Sequence, residues 1–263
     1  MPIVESLQPQ PGLRVLITAG ASGIGAVMAR AFIEARAHVH VCDVDRAALD
    51  RLSTEAPLIT SSMADAAIER DVDLVFEDVQ GLLGGLDVLV NNAGIAGPTG
   101  SIEGLEAGAW ERTVAVNLNS QFLFARRAVP LLKASRSNPC VVAMSSVAGR
   151  LGYAQRTPYA STKWAVVGLK KSLAVELGPH GVRVNAILPG TVEGDRIDAV
   201  IAARAAATGV TPLEMREEYI RKTSLRRMVT AQDVAAMALF LCSPAARNVT
   251  GQAISVDANL EYL

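Results

Sequence analysis

Aromatic side chains are few in this chain: 4% of its 263 residues, four of them tyrosines. So small a supply disfavours a large flat substrate such as a steroid, which needs broad ring contacts. Neither sign of charge prevails, since 25 basic residues against 26 acidic ones leave a formal net charge of −1. That excludes the electrostatic footprint of a nucleic-acid or anionic-membrane partner. The longest apolar run, "VAAMALFLC" from Val234 to Cys242, is about half the ~18 residues needed to cross a bilayer. Only three cysteines are present, Cys42, Cys140 and Cys242. They are odd in number and far apart in sequence, so free thiols in a reducing compartment are expected. The opening "MPIVESLQPQPG" has neither the basic nor the apolar region of a secretory signal and reads as a loose arm. A cytoplasmic protein is the expectation. No linker composition, repeat or low-complexity tract divides the sequence, so one domain over residues 1–263 is expected. His38 and His40 fall on one face of a strand, but no third ligand stands at motif spacing, and no metal is expected.

What the chain does have is a rhythm. Strand-length apolar runs, "LRVLIT", "HVHVCD", "APLIT", "LDVLVNN", "CVVAMSS", "VRVNAIL" and "GQAISVD", are separated by longer helical patterns. Those patterns cover Ile24–Arg36, Arg46–Thr54, Asp65–Leu83, Ala107–Ala134, a stretch ending at Leu177, and Ala231–Cys242. The strands are almost continuously apolar, which means that both of their faces are covered. The pattern predicts an α/β fold: a doubly wound, parallel seven-stranded sheet with helices on both faces, a Rossmann fold.

The run "TAGASGIG", Thr18 to Gly25, joins the first strand to the first long helix. A helix N-terminus beside a strand's C-terminal end offers unpaired N–H groups and a positive dipole end to phosphate. Gly23 and Gly25 let a pyrophosphate lie against bare backbone and the helix pack closely on the strand. The second strand ends at Asp43, close to the ~20-residue spacing at which an acidic residue meets the adenosine ribose. A carboxylate there repels a 2′-phosphate, and no basic residue precedes it in the turn, so NAD is favoured over NADP. The alternative is that Asp43 merely opens the next turn.

These pieces, with "NNAG" (Asn91–Gly94), "SS" followed by "YASTK" (Tyr159–Lys163), and "PG" (Pro189–Gly190), stand in a fixed order and spacing. Together the set resembles the short-chain dehydrogenase/reductase family from Leu13 to Val256. The resemblance implies that Gly20, Ser22, Gly23, Ile24 and Gly25 hold the dinucleotide at the first turn. Asp43 and Met63 serve its adenosine end, with packing as the alternative for Met63. Asn91, Ala93 and Gly94 follow the fourth strand, Asn91 bracing that turn. Pro189, Gly190 and Val192 follow the sixth, the Val192 main chain meeting the carboxamide, and Tyr159 and Lys163 reach the nicotinamide ribose. A homo-oligomer, a tetramer, is also implied. Three positions depart from the family pattern. Ala19 replaces a glycine, and alanine keeps φ below zero unless strained. Ser62 stands where an acidic residue usually meets the adenine. Gly194 replaces a threonine, for which Thr191 is a substitute.

Tyr159 and Lys163 are spaced i, i+4, on one helix face a turn apart. An ammonium about 4 Å from a phenol, at an effective dielectric near 20, favours the phenolate by roughly 4 kcal/mol. That is up to about 3 pKa units, which brings a phenol of pKa ~10 towards the range of a working general base. Ser146 ends the strand "CVVAMSS", where its hydroxyl can hold the substrate oxygen. By resemblance, Asn117 completes a tetrad, holding a water that relays protons from Lys163. A lone Tyr-x-x-x-Lys is a helix surface pair; Ser146 upstream and the glycine turn make it catalytic.

Residues 193–224 break the rhythm between strands six and seven, and read as a substrate-binding lid. Arg196, Arg204, Arg216, Arg221 and Lys222 nearly cancel Glu193, Asp195, Asp198, Glu214, Glu217 and Glu218. The lid as a whole therefore does not advertise an anionic substrate, and Tyr219 is its one aromatic residue. Tyr153, Gln155, Ile95 and Ala96 are candidates for the pocket rim; Met215, Met228 and Met237 read as packing. The expected reaction is hydride transfer between NAD and a secondary alcohol or ketone on a small polar molecule: a polyol, sugar or hydroxy acid. The alternatives are an NADP-dependent reductase of acyl or cyclic ketones and a catalytically silent nucleotide-binding scaffold.

Overall fold

Each of the seven apolar runs forms a strand. The computed structural model describes residues 2–261. In it β1 (Arg14–Thr18), β2 (His38–Asp43), β3 (Ile59–Met63), β4 (Val88–Asn91), β5 (Cys140–Met144), β6 (Arg183–Pro189) and β7 (Ala253–Val256) make one sheet. Their order is β3-β2-β1-β4-β5-β6-β7 and every neighbouring pair is parallel. The chain runs outward one way from β1 and the other way from β4. That reversal opens a crevice at their C-terminal ends, where ligands bind in this architecture.

The pleat explains the continuous apolar runs. Val15 and Ile17 join one core with α2 (Gly23–Glu34), α3 (Arg46–Glu55) and α10 (Ala231–Cys242), whereas Leu16 joins a second core on the opposite face. That second core is built with α4 (Glu69–Leu83), α6 (Ser120–Ala134) and α7 (Thr157–Leu177). The remaining helices are a short α1 (Ile3–Ser6), α5 (Ala107–Val114), α8 (Asp195–Thr208) and α9 (Pro212–Arg221). The last two form the insert between β6 and β7, over a small core of Ile201, Ala205, Met215, Tyr219 and Met228. Among the described residues no helix is long and apolar enough to cross a membrane.

Several local expectations shift. The continuous helix over Ala107–Ala134 is interrupted: α5 gives way to a π turn, Ala115–Asn119, before α6 begins. One extra residue in a turn leaves the apolar period almost unchanged, so periodicity passes over it. The third strand extends through Ser61 and Ser62, polar residues that usually signal a loop. Their neighbour accounts for this: buried His40 is held by Thr60 Oγ1 and Ser62 Oγ, each at 2.8 Å, and Ser62 donates to Asp78 at 2.5 Å. Burial keeps the His40 pKa low, at about 4. His38 is exposed at the strand's start, so the two histidines occupy different environments. The cysteines are free, and Cys140 and Cys242, distant in sequence, bring their sulfurs within 3.4 Å.

Candidate active site

The crevice is clamped by polar contacts between its two central strands. Thr18 Oγ1 accepts from the backbone N–H of Asn92 (2.9 Å) and Ala93 (2.8 Å), while Asn92 Nδ2 donates to the carbonyls of Thr18 (3.0 Å) and Ala19 (2.9 Å). The brace expected of Asn91 is thus supplied by its neighbour. Asn91 is buried in a reciprocal pair with Gln121, its Nδ2 donating to the Gln121 carbonyl and its own carbonyl accepting from Gln121 Nε2. Adjacent residues at a strand's end point to opposite sides, which sends Asn91 towards α6 and Asn92 towards the turn.

Ala19 adopts φ +49°, against the expectation of a negative angle. A left-handed alanine costs ~1–2 kcal/mol, and the Asn92 contacts hold it there. Gly25 is required opposite, because a Cβ on it would lie 2.1 Å from the Ala19 carbonyl oxygen. α2 starts at Gly23, itself at φ +51°, and Ser22 makes no side-chain cap. With no acidic residue in that first turn, its N–H groups and dipole end are free for an anion. Ser22, Gly23, Ile24 and Gly25 line the resulting cavity, and Gly20 lies behind them against Val41. Asp43 reaches back into the turn, one carboxylate oxygen accepting from Ala21 N–H and the other from Asp45 N–H, both at 3.1 Å. Met63 lies level with Asp43 on β3 and is 55% exposed, packed into no core.

At the other end of the cavity, about 450 Å³ in volume, α7 presents Tyr159 and Lys163 one turn apart. Lys163 Nζ donates to the Met144 carbonyl at 2.8 Å and lies 5.6 Å from the Tyr159 ring centre. Ser146 follows β5, accepts from Ala148 N–H at 3.2 Å and lines the cavity with the phenol. Burial works to raise the Tyr159 pKa, but Lys163, Arg196, the nearby Ser146 hydroxyl and Arg156 together carry it below the ordinary phenol value. Lys163 is lowered too, by burial first, with Arg196 adding to the effect and Tyr159 opposing it.

Asn117 occupies the π turn, where its Oδ1 accepts from Ile95 N–H (2.7 Å) and its Nδ2 donates to the Ile95 carbonyl (3.1 Å) and Thr162 (3.2 Å). A Cβ on Gly94 would lie 3.3 Å from both Asn117 Oδ1 and Lys163 Nζ, so that glycine marks the gap between them. Gly94 lines the cavity; buried Ala93, bound through its N–H to Thr18, supports it from behind. Pro189, Gly190, Thr191 and Val192 form the opposite wall, and Val192 bridges to Val229 at the far end of the insert. Gly194, at φ +131°, caps α8.

Two arginines line this site that residue type alone did not single out, Arg156 and Arg196, and a third, Arg204, backs its tyrosines. Arg156 stands immediately before α7, three residues ahead of Tyr159, and its guanidinium lies 5.2 Å from the Tyr159 ring centre and 5.4 Å from that of Tyr153. Arg204 lies 5.3 Å from Tyr153 and 5.5 Å from Tyr219, whose hydroxyls meet at 2.5 Å. A helical signal for Arg204 existed, since it falls on the apolar face with Ile201 and Ala205.

A long crevice at the strand reversal, bare backbone at a helix start, and a carboxylate at the end of β2 suit a dinucleotide. Comparison with known proteins agrees. A family model described as enoyl-(acyl carrier protein) reductase matches residues 18–259. The chain is 33% identical to 2-(S)-hydroxypropyl-CoM dehydrogenase 3 of Xanthobacter autotrophicus, covering 94% of this chain and 95% of the relative. It is 32% identical to galactitol 2-dehydrogenase of Agrobacterium fabrum, covering 92% and 94% respectively. Among solved structures, a 3-ketoacyl-(acyl-carrier-protein) reductase from Brucella melitensis, complexed with NADH, superposes with a TM-score of 0.84 at 32% identity, covering 94% of this chain and 98% of that one. With its motifs on one sheet edge and such matches along nearly its whole length, the chain belongs to the short-chain dehydrogenase/reductase family of oxidoreductases.

Proposed function

We propose that the protein interconverts a secondary alcohol and its ketone on a small polar molecule, using NAD(H). The observation that carries this reading is the convergence of Ser146, Tyr159 and Lys163 on one cavity that continues to the glycine turn. The bound dinucleotide supplies the hydride acceptor or donor. The N–H groups of Ser22–Gly25 hold its pyrophosphate, Asp43 its adenosine ribose, Lys163 its nicotinamide ribose, and the Val192 main chain its carboxamide. In the oxidising direction Ser146 donates to the substrate oxygen and keeps it against Tyr159, whose phenolate takes the hydroxyl proton. Lys163 favours that phenolate, and a water held at Asn117 returns the proton to solvent. The insert carrying α8 and α9 acts as the lid. The names of the galactitol and hydroxypropyl relatives support a small, polar alcohol.

Replacing Tyr159 with Phe removes the base without altering the cradle. Turnover with NAD across a panel of polyols, sugars, hydroxy acids and cyclic alcohols is expected to fall at least a thousandfold, of the order that a general base contributes. NADH still binds, read by fluorescence, with affinity within about tenfold of wild type, because Lys163 and the Ser22–Gly25 turn remain. Near-normal rates in Tyr159→Phe would refute the assignment. Asp43 supports NAD over NADP by charge, so Asp43→Ser is expected to raise the NADP-to-NAD ratio of kcat/KM by about tenfold or more. A wild-type enzyme that already prefers NADP would overturn that choice.

A further inference from the structure

The wall of the cavity beside Tyr159 holds more positive charge than the proposed reaction uses. Arg156 is 2% exposed and lines the same cavity as the phenol. Its Nη2 donates to the Ala96 carbonyl at 2.7 Å, its Nε is buried with no partner, and no carboxylate lies within ion-pair distance of it among the described residues. Arg204, 8% exposed, lies behind Tyr153 and Tyr219 rather than on the cavity wall: Nη1 donates to the Tyr219 hydroxyl at 3.1 Å while Nε is unpartnered. Arg196, exposed at the cavity rim, adds another guanidinium, its Nη1 donating to the Gly94 carbonyl at 3.1 Å. Buried guanidinium groups are costly without an anion and match carboxylate, sulfonate or phosphate oxygens through paired N–H groups.

The near-zero charge of the insert hides this. Its acids are engaged elsewhere, Asp198 with Arg216 at 2.6 Å and Glu218 with Lys222 at 2.8 Å. Glu193 and Asp195 are exposed at the cavity rim and form no ion pair with the three arginines. The buried charge on the cavity wall beside Tyr159 is therefore the Arg156 guanidinium, while Arg196, Glu193 and Asp195 are all exposed at the rim.

We propose that the substrate is a short secondary alcohol bearing an anionic group, carboxylate, sulfonate or phosphate, which docks on Arg156 beside the reacting carbon. The proposal rests on the reading above, that Tyr159 is where the alcohol reacts, and narrows it from polyols, sugars and hydroxy acids to the anionic members. The anionic group is unchanged in the reaction: the carbinol C–H bond breaks as hydride to the oxidised nicotinamide, the O–H proton passes to Tyr159, and a C=O bond forms.

The test compares matched pairs with NAD: 3-hydroxybutyrate against butane-1,3-diol, and 2-hydroxypropanesulfonate and 2-hydroxypropyl phosphate against propane-1,2-diol. Wild-type kcat/KM is expected to favour the anion by about tenfold or more, with the best head group identifying its source. In Arg156→Leu that advantage is lost through KM, Arg156→Lys keeps part of it, and the Kd for NADH stays within about threefold of wild type. Calorimetric titration of each pair into the enzyme saturated with NADH reads the subsite without turnover, and the same anion advantage is expected there. Equal binding of neutral and anionic members, an anion advantage that survives Arg156→Leu, or a Kd for NADH that collapses with Arg156 would each overturn the proposal. Anion binding without turnover would instead refute the proposed reaction while leaving the subsite standing.

Discussion

At Ala19 the chain accepts a left-handed backbone at φ +49° in the turn offered to the dinucleotide, and the local contacts say why it can. The carbonyl is held by Asn92, and the space opposite is kept clear by Gly25. Ala19→Gly removes a strain of ~1–2 kcal/mol but frees the unfolded chain by ~0.5–1 kcal/mol. Urea unfolding should therefore report a gain of up to about 1 kcal/mol. A loss of that size would mean that the methyl group packs. Ala19 stands out in the sequence as one of three departures from the family pattern, yet its φ depends on Asn92, 73 residues away. The brace expected of Asn91 falls to Asn92 for a similar reason: a one-residue step at a strand end reverses which side a side chain faces.

Along α7, one buried face carries Lys163, Val166, Lys170, Ala174 and Leu177. Lys170 is fully enclosed with no hydrogen-bond partner, and burial brings its pKa down to about 7. Above that pH the folded protein leaves the amine neutral while the unfolded chain still holds the proton. Stability should accordingly rise with pH between about 7 and 10.5, with a slope of up to ~1.4 kcal/mol per unit. In Lys170→Met the slope disappears and stability at pH 7 increases by ~2 kcal/mol, since packed apolar volume replaces a buried charge. Guanidinium unfolding at several pH values checks both; an unchanged slope refutes the assignment. The spacing from Tyr159 to Lys163 was legible as a helix turn. Spacing also puts Lys170 on that face, but lysine chemistry argues for a solvent position, and only the packed core decides. The π turn that carries Asn117 escaped for a different reason: one extra residue in a turn leaves the apolar period almost unchanged.

Over the whole molecule, the sheet was readable because strands buried on both faces cannot alternate, and the insert was readable because it interrupts their rhythm. What stayed hidden was which charges turn inward, a property of the folded assembly. Lys163 from α7, Arg156 from the preceding loop and Arg196 from α8 all favour the ionised form of Tyr159. The proposed base is active when ionised, so kcat/KM for alcohol oxidation rises with pH to a plateau, with an apparent pKa below the ordinary phenol value. Ketone reduction, which needs the protonated phenol, falls over the same range. Arg196→Leu should move both profiles to higher pH; profiles that stay in place would remove Arg196 from this field. The shortage of aromatic residues has a practical consequence as well. Of four tyrosines in the chain, Tyr153, Tyr159 and Tyr219 all belong to this one cavity. Biosynthetic labelling with fluorotyrosine would thus yield a handful of ¹⁹F resonances, three of them from the walls of the site, giving a spectroscopic view of occupancy with almost no background from the rest of the protein.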